Sequence, residues 1–131
     1  MDDTATLEEL VQTVTCPVNW NGKRVRALHP FEPEDTALIE AISRGEFTLN
    51  GLRNRDLQRL LYDTQDAPTS EEARRRSAQV TRKLRMLRAH AIIAKVPRTH
   101  RYQVTELGRR IITAILTARH TPLNQLLPKA A

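Results

Sequence analysis

Between Glu71 and His90 the chain reads EEARRRSAQVTRKLRMLRAH. Seven cations (Arg74, Arg75, Arg76, Arg82, Lys83, Arg85 and Arg88) stand there against two acids, both at the start. No acidic residue occurs from Ala73 to Thr105, a span with ten basic residues that include Lys95, Arg98 and Arg101. Seventeen of the twenty-one cations are arginine. A guanidinium forks onto phosphate or onto a guanine edge, whereas an ammonium acts as a point charge. The chemistry on offer is therefore charge-assisted hydrogen bonding to something negative, with a solvated basic face as the plain alternative.

Other chemistry is hard to find. No histidine among His29, His90, His100 and His120 lies three or four residues from another histidine or from Cys16, and one cysteine makes no zinc finger. No glycine-rich phosphate loop and no GxSxG sequence appears. The adjacent acids Asp2–Asp3, Glu34–Asp35 and Glu71–Glu72 do not face each other on a helix, and they read as helix-start or terminal charges. Cys16 reads as a small buried or half-buried residue, and Trp20 as local core. Met86 falls on the basic face, where it would touch a thymine methyl or pack on arginine stems. We expect no enzyme activity, cofactor or metal.

These residues need a frame. The 131 residues suit one domain, with a core of Leu, Ile, Val and Ala because aromatics make up only 4%. Residues 1–52 hold four cations against nine acids, a balance of −5, whereas residues 53–131 balance at +11. The positive field thus belongs to the second part, as in a nucleic-acid binder. The acidic, polar amino terminus, the lack of a long apolar run and the single cysteine predict a cytoplasmic protein without a membrane segment.

The spacing of Leu7, Leu10, Val11 and Val14 predicts a helix over about 5–14. Asn21–Gly22 predicts a hairpin that pairs Val18 with Val25 and Trp20 with Lys23. Pro33, with Glu34 and Asp35 behind it, starts a helix that Gly45 stops. EFTLN (46–50) reads as a short strand. Arg53 to Tyr62 reads as a helix with Leu57, Leu60 and Leu61 inward, and 63–69 as a loop. Thr69 and Glu72 form a capping box for a helix running to about Ala91. On its wheel Ala73, Ser77, Val80, Leu84, Leu87 and Ala91 point inward. Arg75, Gln79, Arg82 and Met86 lie opposite, flanked by Arg76, Lys83 and Arg85. IIAKV and RYQV form a second hairpin. Thr105 caps a last helix with Leu107, Ile111, Ile112, Ile115 and Leu116 apolar.

The order helix, strand, helix, helix, hairpin, helix matches a winged helix. LRAHAIIAKVPRTHRYQVTELGRR (87–110) resembles that helix-turn-helix family, in particular bacterial regulators of the MarR and ArsR type, in its RAHAII, HRYQVT and TELG segments. The resemblance covers about Phe31 to Arg119. Ala91 stands where the family usually has Gly, and the 63–69 loop is long for a helix-turn-helix. From about Trp20 onward the chain also resembles the carboxy-terminal region of uncharacterised bacterial open reading frames.

The resemblance implies a mainly α fold with a small β-hairpin, ordered α-β-α-α-β-β-α. An amino-terminal helix and hairpin extension (1–30) would precede the winged-helix domain (31–119) and a loose tail (120–131). It implies double-stranded DNA as partner and transcription regulation or DNA targeting as role. Arg75, Arg76, Gln79 and Arg82 would reach base edges. Arg53, Arg55, Lys83, Lys95, Arg98, His100 and Arg101 would lie on the DNA backbone. Ile111 to Leu116 would fill a core or join a homodimer. The alternatives are a protein- or RNA-interaction module and the nucleic-acid-binding part of a larger enzyme.

Overall fold

A computed structural model describes residues 7–62 and 69–120. The 63–68 loop, residues 121–131 of the tail and residues 5–6 of the expected amino-terminal helix lie outside the described residues. The elements are α1 (Leu7–Val14), β1 (Val18–Trp20), β2 (Lys23–Val25), α2 (Pro33–Ile42), α3 (Glu46–Asn50), α4 (Asn54–Leu61), α5 (Ser70–Ala89), β3 (Ile93–Lys95), β4 (Tyr102–Val104) and α6 (Glu106–His120). The chain is mainly helical, with two small antiparallel hairpins.

The first hairpin turns at Asn21 (φ 52°) and Gly22 (φ 79°), both in the left-handed region that a tight two-residue turn requires. Its register is the expected one, Val18 opposite Val25 and Trp20 opposite Lys23. Pro33 opens α2, since its fixed φ suits a first turn and its missing N–H costs nothing there. Thr69 Oγ1 accepts the Glu72 N–H at 3.1 Å and starts α5.

Three expectations are corrected. Residues 46–50 form the helix α3, not a strand. The segment alternates polar and apolar residues as a strand would, yet it coils, with Phe47 buried and the Gly51 N–H closing the helix on the Phe47 carbonyl at 3.1 Å. Extended pairing is displaced to Leu52, whose N–H and C=O both bond Tyr102 at 2.8 Å. Met86 is 2% exposed and belongs to the core, because the first hairpin covers a flank of α5 that the helical wheel leaves open. Cys16, read as buried or half-buried, is exposed.

The helix ends are chemically specific. Ala91 takes φ 61° just past α5, while its N–H bonds the Arg88 carbonyl at 3.0 Å and the Ile92 N–H bonds that of Leu87 at 2.9 Å. This is the glycine-type Schellman stop, executed by alanine. Thr105 joins that stop to α6. Its Oγ1 donates to the Ala91 carbonyl at 2.6 Å and accepts the Gly108 N–H at 2.8 Å.

One cluster of buried side chains draws on nearly every element: Val14, Val25 and Leu28 from residues 1–30, Leu38 and Ile39 from α2, Leu57 from α4, Val80, Leu84 and Leu87 from α5, Ile111 and Ile115 from α6. Ile111, Ile112 and Ile115 are spent on this core, so a second subunit meeting α6 would meet Leu107, which is exposed, and the half-buried Leu116. Among the described residues no helix is long and apolar enough to cross a membrane.

Candidate nucleic-acid interface

The buried arc of α5 contains Val80, Leu84, Met86 and Leu87. At 100° per residue the opposite arc presents Arg74, Arg75, Ala78, Thr81, Arg82 and Arg85, all exposed. None of these four arginines has an ion-pair partner among the described residues. The helical wheel points Arg75 and Arg82 outward, sets Arg85 on a flank and leaves Arg74 unassigned.

Arg76, Gln79 and Lys83 occupy the flank of α5 and are engaged by the chain itself. Arg76 is 24% exposed, lies 5.3 Å from the Tyr62 ring centroid, and stands 4.0 Å from Glu72. Gln79 accepts the Tyr62 hydroxyl hydrogen bond. Lys83, 11% exposed, bonds Glu34 at 2.8 Å. That bond, more than the accompanying charge attraction, holds the Glu34 carboxyl below its ordinary value. A wheel shows direction but not the neighbour across the gap, and so it misses these engagements.

Two grooves flank the outward ridge of α5. The first, about 480 Å³, gathers Arg53 and Arg55 of α4's start, Ser77 and Thr81 of α5, and His100 and Tyr102 of the second hairpin. Asn54 sets its width. Its Nδ2 donates to the Ser77 carbonyl at 3.2 Å and to Thr81 Oγ1 at 3.1 Å, and its Oδ1 accepts from Gln58 at 2.6 Å. Asparagine at a helix start signals a cap, and nothing in the sequence marks it as a staple between helices. The Asp56 carboxylate caps α4 by accepting the Arg53 N–H at 2.9 Å. The Leu52–Tyr102 pairing brings the second hairpin alongside. Gly51 (φ 76°) makes that approach possible, since a Cβ there would stand 3.2 Å from Arg101 Cβ and 3.3 Å from the Tyr102 carbonyl oxygen. Arg53, Arg55 and His100 thereby line one groove, and Arg101 packs beside Gly51. Lys95 and Arg98 are also exposed on this hairpin, Arg98 with φ 64° at its turn.

The second groove is larger, about 1070 Å³, and lies between the first hairpin, the start of α2, and α5 from Gln79 to Met86. Its floor is fixed by Asp35, buried at the first turn of α2. Arg26 donates both its terminal nitrogens to the carboxylate at 2.8 Å, and the His29 N–H donates at 2.8 Å. Burial pushes the Asp35 carboxyl up, but the Arg26 fork and the His29 N–H outweigh it and leave the carboxyl below its ordinary range. The Arg26 guanidinium is raised in turn, chiefly by its bonds to Asp35. His90 Nε2 lies 2.9 Å from the Arg26 carbonyl, and Arg88 stacks 4.9 Å from the Trp20 ring and 5.8 Å from that of Tyr102. The carboxy-terminal end of α5 is thus held between both hairpins.

Among the described residues no three His, Cys, Asp or Glu side chains converge as metal ligands. Protein-family models, curated proteins and solved structures give no match to this chain.

Proposed function

We propose that the chain binds double-stranded DNA as a winged-helix module, in the cytoplasm of a bacterium, acting in transcription regulation or DNA targeting. The observation that carries this reading is the outward face of α5, where Arg74, Arg75, Arg82 and Arg85 stand exposed without a carboxylate partner among the described residues. A 20-residue helix is long enough to lie in a major groove and expose several turns to base edges. In this reading Arg75 and Arg82 meet bases. Arg53, Arg55 and His100, along the groove beside the ridge, meet phosphate together with Lys95, Arg98 and Arg101 of the wing hairpin, β3–β4. The order α2, Leu52 bridge, α4, α5, β3, β4, α6 supports the winged-helix assignment, because the bridge adds a third extended segment to the hairpin.

The test is selection from a random duplex pool at two salt concentrations. Log affinity should fall with log salt by about 0.9 per phosphate neutralised. Arg98→Ala should weaken all sequences alike, and Arg75→Ala should relax preference at one position, by about 1–3 kcal/mol between right and wrong base. A flat salt response, or tighter binding to RNA than to duplex DNA, overturns the proposal.

A further inference from the structure

The first hairpin, which walls the groove on the far side of α5, has no role in the reading above. We propose that this hairpin is a second backbone clamp, with Arg24 gripping phosphates of the DNA strand opposite the one held by α4 and β3–β4. The inference rests on the duplex-binding reading.

Five cations line the groove: Arg24, Arg26, Arg82, Lys83 and Arg85. Three acids face them: Glu32, Glu34 and Asp35. Two of those acids are neutralised in place, Asp35 by Arg26 and Glu34 by Lys83, each at 2.8 Å. What remains is Arg24, Arg82 and Arg85 against Glu32, a surplus of positive charge on both walls. Arg24 is exposed, and no ion-pair partner for it stands among the described residues. Side chains alternate along a strand, so Val25 turns into the core while Arg24 turns out. The hairpin is also well anchored for the purpose. Val25 is buried, Trp20 lies under Arg88, and the Arg26–Asp35 fork ties its exit to α2. A helix seated in a major groove has a sugar-phosphate strand on each side, and the two grooves beside α5 are charged to receive one each.

Arg24→Ala and Arg24→Glu, in the full chain, test this on one duplex sequence taken from the random-pool selection. Arg24→Ala should lower the salt slope by about 0.9 and leave sequence preference unchanged. Hydroxyl-radical footprinting should lose protection on one strand only, and Arg24→Glu should lose more affinity than Arg24→Ala. Arg55→Ala serves as the reference for the other groove and should lose protection on the opposite strand. If both Arg24 variants keep the wild-type slope and footprint while Arg55→Ala changes them, the clamp is wrong and duplex binding stands. If the wild-type chain gives no salt-dependent duplex binding, the underlying reading fails with it.

Discussion

Single atoms decide the junction where α5 hands over to the second hairpin and α6. A Cβ added at Gly108 would stand 2.1 Å from the Ile92 carbonyl oxygen, a contact that requires backbone to move. That carbonyl also accepts the Thr105 N–H at 2.9 Å, so it cannot retreat freely. Gly108→Ala should therefore destabilise the chain by about 3 kcal/mol, at the upper end for overpacking, despite alanine's better helix propensity. Thermal or urea unfolding checks this. At the start of α2 a single carboxylate, Asp35, is as decisive. Its folded-state carboxyl lies below its ordinary 3.8, so the fold favours the charged form. That contribution is complete above pH 3.8 and disappears as pH falls through the lower folded value. Asp35→Asn should cost about 2 kcal/mol at neutral pH, less than a fully buried pair because Arg26 is 44% exposed. The variant should also lose part of the wild type's acid-induced destabilisation, read as unfolding midpoints followed from about pH 5 down to about pH 2.

The elements show how much of this was legible in the residues. The first hairpin's register was readable because Asn21–Gly22 permits one tight turn and alternation fixes the faces. The start of α5 was readable because Thr69 and Glu72 leave one way to cap it. α3 was not, since its five residues between two glycines alternate polar and apolar like a strand, and the pairing that mattered sat at Leu52. Direction on α5 was half readable. Arg75 and Arg82 do point outward, but Gln79, Lys83 and Met86 depended on what Tyr62, Glu34 and the first hairpin would bring against them. Two left-handed residues that are not glycine separate structure from function. Ala91 (φ 61°) closes a helix and Arg98 (φ 64°) tips the second hairpin after Pro97, where such turns favour glycine. Each conformation costs about 1 kcal/mol. Ala91→Gly should return roughly that in stability and leave DNA affinity alone. Arg98→Gly should stabilise similarly yet weaken DNA binding at low salt. Paired melting and binding curves distinguish the two, and equal binding by both variants would remove Arg98 from the interface.

Taken whole, the molecule is organised by where its core draws material, and residues 1–30 supply more of it than an appended segment would. Val14, Val25 and Leu28 lie in the same buried cluster as α2, α4, α5 and α6, and the Leu28 N–H bonds the Val14 carbonyl at 2.8 Å. Each such side chain contributes about 1.5–3 kcal/mol on burial. Removing the three would forgo roughly 4–9 kcal/mol before the Arg26–Asp35 fork is counted, against a typical domain stability of about 5–15 kcal/mol. The loss would also uncover Met86 and strip His90 Nε2 of its bond to the Arg26 carbonyl. A chain beginning at Phe31 should therefore fail to show a cooperative thermal transition at 25 °C and above, while the full chain melts as one unit. Circular dichroism and hydrogen exchange on both lengths would check it. A truncated chain that melts sharply and keeps salt-dependent DNA binding would mean that the first hairpin is an accessory to a complete domain. A truncated chain that cannot fold would mean that the strand carrying Arg24 is an integral part of the domain, held there by Val25.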